Sequence, residues 1–332
     1  MIRTIITIGD PSGIGPEITI KAIGKLLKKG FDFVPIIVGD IAIITKTISN
    51  IKMKMDLSPF DDTQEKGKIK VYNVEIIKNK KFPQGKDNPL AGKASFSYLC
   101  EAWRLLCQGK GDCLITAPIS KKAWSMAGIP YSGHTEALSS FSQEKTYMLM
   151  SAEKLNILLF TTHIPMKEIW QYLTKKNLFL SSITTAEFLA RFYGKKDLKI
   201  AFCGLNPHAG ESGLLGTEEK KIIEPVIAKI EKSGFNASGP YPADSVFRQV
   251  FSQNNFYLLI SLYHDQLLPT LKTLFFEKLV NITVNKSGWI RTSPGHGTAF
   301  DIAGKNIADA CPMENAIIKA VEMANRKKWI HF

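Results

Sequence analysis

Three apolar runs in this chain end in histidine. Residues 155–160 lead through two threonines to His163, residues 199–203 lead through Gly204 to Pro207 into His208, and residues 256–261 lead through Leu262 and Tyr263 to His264. Each run is apolar enough to be a central strand buried on both faces, and in an open parallel sheet ligands bind beyond the carboxyl ends of the strands. Three of the chain's six histidines are therefore expected on one functional rim. Imidazole is the commonest metal ligand. Three of them suit zinc first, with cobalt or magnesium as alternatives, and a three-ligand site keeps positions open for substrate or water. Such a centre can lower the pKa of a bound alcohol or activate a water. The competing reading is three unrelated loop histidines, since their spacing is not a local signature of the HExxH kind.

Three glycine-bearing segments offer ligand contacts of another type. Gly9 to Glu17 reads as strand end, glycine turn and helix start, with Gly13 and Gly15 letting backbone approach a ligand at a helix N-terminus. It is not GxGxxG, and a merely tight turn explains it equally well. His296, Gly297, Thr298, Ala299 and Asp301 form a small-residue loop against which a flat ring and a ribose could lie. Asp301 would accept ribose hydroxyls and repel a 2′-phosphate, or it caps a helix. His134 and Thr135 follow Gly133 and suit a phosphate, unless Thr135 is itself a helix N-cap.

These residues need a scaffold, and β-branched runs alternating with amphipathic segments predict an α/β fold with mostly parallel strands. Strands are expected at 4–8, 34–38, 68–72, 113–116, 155–160, 199–203, 256–261 and 280–284. Helices are expected at 16–27, 91–107, 181–193, 218–232, 244–251 and 314–327. Gly128, Pro130 and Gly133 break the pattern, which suggests one domain from 1–127 plus 290–332 and a second from 128–289.

The 332 residues carry a net charge of +13. Their lysines fall in scattered pairs such as Lys28-Lys29, Lys80-Lys81 and Lys195-Lys196, without the interleaved aromatics of a nucleic-acid platform. An anionic small substrate is the expected partner; nucleic acid is not. No apolar run is long enough for a membrane span, and the short apolar N-terminus is no signal peptide, so a cytoplasmic location is expected. The five cysteines (Cys100, Cys107, Cys113, Cys203, Cys311) are expected to be reduced and mostly buried.

Taken together, GDPSGIGPE at 9–17, ITAPISK at 115–121, GIPYSGHTE at 128–136, GLNPHAGESGLLGTEE at 204–219, GPYPADSVF at 239–247 and YHDQ at 263–266 resemble the 4-hydroxythreonine-4-phosphate dehydrogenase family of vitamin B6 biosynthesis. The resemblance implies two α/β/α domains of the isopropylmalate-dehydrogenase type with the active site in the interdomain cleft, a cofactor-side domain first and a substrate, metal and dimerisation domain second. It implies NAD, one divalent metal on His163, His208 and His264, and substrate contacts from His134, Thr135, Lys272, Asn281 and Arg291. Asp244 matches a family acidic residue near the substrate, and with Lys272 it is a candidate to move the proton. A homodimer whose subunits share each site is also implied. The implied reaction oxidises the C3 hydroxyl of 4-phosphohydroxy-L-threonine. The alternatives are a paralogous threonate or erythronate 4-phosphate dehydrogenase and, in another class, a zinc hydrolase or phosphatase. Leu267, Gly288 and Gly295 depart from the family pattern.

Overall fold

The computed structural model describes residues 1–61, 63, 67–78, 80–194, 198–251 and 256–330; the Lys195-Lys196 pair lies outside them. In chain order the first stretch forms β1 (Ile2–Thr7), α1 (Gly15–Lys28), β2 (Phe33–Gly39), α2 (Ile41–Ile51), β3 (Leu57–Pro59), β4 (Ile69–Asn73), α3 (Pro89–Cys107), β5 (Cys113–Thr116), α4 (Lys121–Met126) and α5 (His134–Ser142). The middle stretch forms β6 (Tyr147–Ala152), β7 (Leu155–Leu159), α6 (Ile169–Tyr172), α7 (Lys175–Tyr193), β8 (Leu198–Cys203), α8 (Glu224–Lys232), β9 (Asn236–Tyr241), α9 (Val246–Phe251), β10 (Phe256–Ser261), α10 (His264–Phe275) and β11 (Val280–Val284). The last stretch adds β12 (Arg291–Pro294) and α11 (Cys311–Ile330).

One compact unit comprises Met1–Glu144 and Trp289–Lys328, and the other is built on Lys145–Gly288. The changeover expected at 127/128 thus falls later. Aromatic packing is the reason: Tyr131 stacks on Phe96 of α3 at 5.9 Å, and Phe141 of α5 lies 6.1 Å from Phe96 and 6.4 Å from Trp103. Trp289 meets Trp103 edge-on at 5.1 Å, so the chain rejoins the first unit there.

In the first unit the strand order is β3-β4-β2-β1-β5-β12, and every neighbouring pair is parallel. β1 and β2 are buried almost throughout, as strands covered on both faces must be. Asn88 starts α3 by accepting the Ala91 N–H at 2.8 Å, with Pro89 in the first turn, where a missing N–H costs nothing.

In the second unit the order is β11-β6-β7-β10-β8-β9. β7, β10 and β8 run parallel side by side. β6 and β7 form an antiparallel hairpin closed at Glu153-Lys154, with Glu153 at φ +54, the left-handed conformation that two-residue hairpin turns need. The helix expected over 218–232 is split: a wide π-type turn occupies Glu219–Ile223 before α8. Pro225 supplies no N–H for a regular α-helical bond at that point. Leu267 is fully buried in the core with Ile157, Leu259 and Leu271, so this departure from the family pattern fills the interior. The five thiols are free, but only Cys113 and Cys203 are buried, and Cys107 is exposed.

The β1–α1 turn buries Asp10 completely. Its Oδ1 accepts the Ser12 N–H at 2.8 Å, while Oδ2 is buried without a hydrogen-bond partner. Burial, reinforced by the Asp87 charge, pushes its pKa up from 3.8 to about 6 against the Ser12 bond. A group that binds its proton more tightly when folded adds stability at low pH and loses it as pH rises from about 4 to 6. Asp10→Asn should therefore gain on the wild type by roughly 2 kcal/mol between pH 4.5 and 7.5 in denaturant titrations. An unchanged difference between the two proteins at the two pH values would contradict this.

Candidate active site

The first unit brings two of the three glycine segments together. The Ile14 N–H donates to the Thr298 carbonyl at 3.0 Å, and a Cβ on Gly13 would lie 2.9 Å from both the Cβ and the carbonyl oxygen of Thr298. The absence of a side chain at Gly13 is what lets the loop dock. Glu17 and Lys21 of α1 hold the far end: Glu17 Oε1 accepts the Ala308 N–H at 2.9 Å and Lys21 Nζ donates to the Asn306 and Ala308 carbonyls at 3.1 Å. Gly15 packs against the Ile8 carbonyl, which gives it a structural role in the turn.

A third segment was not foreseen. Gly85 donates its N–H to the Ser12 carbonyl at 2.8 Å, and Gln84 Nε2 reaches the same oxygen at 3.0 Å. A pocket against the turn is lined by Gly13, Glu17, Lys46, Gln84, Gly304 and Asn306. Around the loop, a Cβ at Gly297 would meet nothing within 4 Å, so the backbone there is open. Ala299 sits at φ +42, a strained conformation of the sort held at ligand clamps, and His296 Nδ1 lies 3.0 Å from the Gly297 carbonyl. Asp301 is exposed within a run of turns, and the next helix starts only at Cys311. The capping alternative for Asp301 therefore fails; Asp309 accepts the Cys311 N–H at 3.0 Å instead.

His134 and Arg291 share one buried corner of this unit. Arg291 enters at the start of β12, which pairs with β5 through Leu114 and Ile115. Its guanidinium is only 2% exposed and donates Nε and Nη2 to the Thr116 hydroxyl at 3.1 and 2.6 Å. Burial pushes its pKa down to about 9, against the pull of Glu136. His134 packs edge-on to Trp124 at 5.6 Å, and its Nε2 is buried with no hydrogen-bond partner among the described residues. Burial first, then the Arg291 charge, hold its pKa well below the usual imidazole range, so it is a neutral hydrogen-bonding group. A buried guanidinium beside an unsatisfied neutral imidazole is receptive to an anion. Thr135 is the second residue of α5, whose N-cap is Gly133; the Thr135 cap does not form. Thr116, inside the ITAPISK motif, is the missed member of this corner.

The second unit carries the histidines on three loops at the carboxyl ends of β7, β8 and β10. The rings of His163 and His264 lie 6.0 Å apart, tilted by 39°. Two imidazoles on one ion at the usual Zn–N distance of about 2.1 Å place their centroids roughly 5–6 Å apart, so this pair fits a shared metal. Asp265 accepts His264 Nδ1 at 2.6 Å and Glu211 accepts His208 Nδ1 at 2.6 Å. Each bond engages Nδ1 and leaves Nε2 as the ring nitrogen that could meet a metal, the arrangement in which a carboxylate orients a metal-binding histidine. Glu211, then Asp244, hold the His208 pKa above its ordinary value, which places Asp244 beside that loop.

His208 itself lies in a left-handed turn, with φ of 50, 53, 78, 44 and 58° from His208 to Ser212. Its side chain is 63% exposed. Among the described residues of the single chain, no three His, Cys, Asp or Glu side chains come together to hold a metal ion. The expected trio is thus assembled only as far as the His163–His264 pair. Asn281 on β11 has a buried Oδ1 without a partner, Lys272 is half-buried on α10, and Asp244 is exposed.

A family model described as pyridoxal phosphate biosynthetic protein PdxA matches residues 32–320. A 4-hydroxythreonine-4-phosphate dehydrogenase from Sulfurihydrogenibium sp. is 37% identical over 98% of each chain. A protein from Oceanobacillus iheyensis, named for D-threonate 4-phosphate dehydrogenase activity, is also 37% identical, over 97% of this chain and 98% of its own. The crystal structure of 4-hydroxythreonine-4-phosphate dehydrogenase from Klebsiella pneumoniae matches with a TM-score of 0.87 at 32% identity, covering 98% of this chain and 100% of that one. In fold alone the likeness extends to isocitrate dehydrogenase from Methylococcus capsulatus, at TM-score 0.50 and 15% identity over 99% of this chain and 87% of that one. From its matched residues and its near-full-length relatives, the chain belongs to the pyridoxal phosphate biosynthetic protein PdxA family.

Proposed function

We propose that this dehydrogenase oxidises 4-phosphohydroxy-L-threonine at its C3 hydroxyl with NAD and a divalent metal, giving 2-amino-3-oxo-4-phosphobutanoate. The observation that carries the reading is the 37% identity over 98% of both chains to the Sulfurihydrogenibium enzyme. The geometry supports it through the His163–His264 pair, the anion-receptive corner at Arg291 and His134, and the open backbone at Gly297. A hydrolase reading of the histidines is set aside with the family assignment.

The bound metal would supply Lewis acidity to the substrate alcohol, and NAD would accept the hydride. His163, His208 and His264 would hold the metal through Nε2. Arg291, already desolvated, binds anionic oxygens bidentately, and neutral His134 donates Nε2–H beside it, with Thr135 adjacent. Lys272 or Asp244 takes the hydroxyl proton as the C3–H bond gives up its electron pair, and Asn281 orients the substrate through its unsatisfied Oδ1. The product is a β-keto acid. Its C1–C2 bond can break with loss of CO₂, leaving the electron pair on C2 in conjugation with the C3 ketone. Protonation then gives 3-amino-2-oxopropyl phosphate.

A homodimer with shared sites is part of the same reading. Exposed apolar side chains follow each histidine: Met166 and Trp170 after His163, Leu214 and Leu215 after His208, Leu274 and Phe276 after His264. A second copy covering these loops would bury them and supply the missing metal ligand.

A second reading, D-threonate 4-phosphate as the substrate, is favoured by the equal identity to the Oceanobacillus protein. NADH formation with each substrate in turn, plus a divalent ion, decides between them: a higher kcat/KM for 4-phosphohydroxy-L-threonine is expected. A preference for D-threonate 4-phosphate would move the assignment to the second reading, and no NADH from either would contradict both. His208→Ala should abolish turnover that responds to divalent ion while the exposed position leaves Tm nearly unchanged; full activity in that variant would refute the metal assignment. Gly13→Ala, which pushes into Thr298, should raise the KM for NAD roughly 10- to 100-fold by misplacing the 296–301 loop. Wild-type NAD kinetics there would remove this loop from the cofactor site.

A further inference from the structure

We propose that Gln266 is a positioning residue that fixes, within each copy of the chain, the segments carrying His208 and His264, so that each is delivered correctly to the metal site it serves, an inference resting on the metal-dependent reading above. Gln266 is the third residue of α10, two after His264. Its Oε1 accepts the Leu262 N–H at 2.8 Å, and its Nε2 donates to the Gly204 carbonyl at 2.6 Å, where the loop to His208 begins. From the third helical position Gln266 reaches back past the N-cap Tyr263 to the N–H of Leu262. Here the other end of the amide crosses to the neighbouring strand's loop.

Leu262 also accepts, on its carbonyl oxygen, the hydroxyl of Thr161 at 2.7 Å, two residues before His163. Leu262 is therefore tied through its N–H, by way of Gln266, to the His208 loop, and through its C=O to the His163 loop. The His208 loop transmits a displacement at Gly204 because it is stiff. Buried Glu219 accepts the N–H groups of Leu205 and Asn206 through Oε1, both at 2.9 Å. The left-handed turn that follows costs roughly 1–2 kcal/mol for each non-glycine residue and persists only where its surroundings impose it.

Only an amide does both jobs. A methionine of similar length makes neither bond. A glutamate keeps the bond from the Leu262 N–H and presents an oxygen to the Gly204 carbonyl, driving the two loops apart. Neither change touches an imidazole. Gln266→Met adds no charge, so its effect on the metal passes through loop position; the carboxylate of Gln266→Glu would by itself attract a cation, so weaker binding there also reports loop position.

The test is calorimetric titration of Co²⁺ into the metal-stripped full chain, with the visible spectrum of the Co²⁺ form reporting ligand geometry. Gln266→Met and Gln266→Glu should bind Co²⁺ roughly 10- to 100-fold more weakly than wild type, the usual effect of losing a group that orients metal ligands, with a changed spectrum. Thr185→Val removes a buried hydroxyl bond to the Ser181 carbonyl at 2.7 Å on α7. It should lower Tm comparably and bind Co²⁺ as wild type does. Gln266→Glu carries the test if Gln266→Met does not fold. Wild-type affinity and spectrum in the Gln266 variants overturn the inference, as does an equal affinity loss in Thr185→Val. Wild-type protein that takes up no Co²⁺ overturns the inference together with the metal-dependent reading, and that failure is seen before any variant is made.

Discussion

Adjacent parallel pairing of β7, β10 and β8 is the constraint on which the histidine site depends. Parallel neighbours end at the same edge of a sheet, so Leu155–Leu159, Phe256–Ser261 and Leu198–Cys203 deliver their following loops side by side. Had one of these strands run antiparallel, its histidine would emerge at the opposite edge. The fully buried Ile157, Leu158, Leu258, Leu259, Ile260, Ile200 and Phe202 lock that pairing through apolar burial on both faces. The placement of the histidines at one rim is thus secured by buried apolar residues of the strands. What the strands leave open is the separation of the loops, and hydrogen bonds between main-chain and side-chain groups set it.

The first unit shows the complementary strategy, in which close backbone approach replaces hydrogen-bonded loops. Gly13 and Thr298, Gly85 and Phe300 meet where a Cβ would not fit, and the buried Asp10 carboxyl lies under the same turn. Burial without a full complement of partners recurs at Asp10, His134 and Asn281. Such groups cost free energy in the isolated chain. Their persistence beside segments that match a family of dehydrogenases is consistent with sites built to be completed by another molecule.

The eight strands expected from apolar runs all exist, because a buried parallel strand announces itself by composition alone. β6 stayed hidden: Tyr147–Ala152 has no period-2 alternation, and its turn is two charged residues rather than an Asn-Gly pair. β9 contains Gly239-Pro240 and β12 is only four residues long, so neither resembles a strand in isolation. α10 was masked by Pro269 within it. The domain boundary moved because ring packing among Phe96, Trp103, Tyr131 and Phe141 is a tertiary fact with no local signature. In the site, the histidines were legible as strand endings. Thr116 and Gln266 were not, since the bond of Thr116 to Arg291 and that of Gln266 to the Gly204 carbonyl join groups far apart in sequence. Leu267 was legible as a departure but not as core, a distinction that burial alone could make.

The measurement that bears most directly on this account is anomalous X-ray scattering at the zinc edge from crystals of the metal-loaded protein. The account predicts one ion within bonding distance of the Nε2 atoms of His163, His208 and His264, with the three drawn from two copies of the chain. An ion held elsewhere, or these histidines without one at full metal loading, would contradict it.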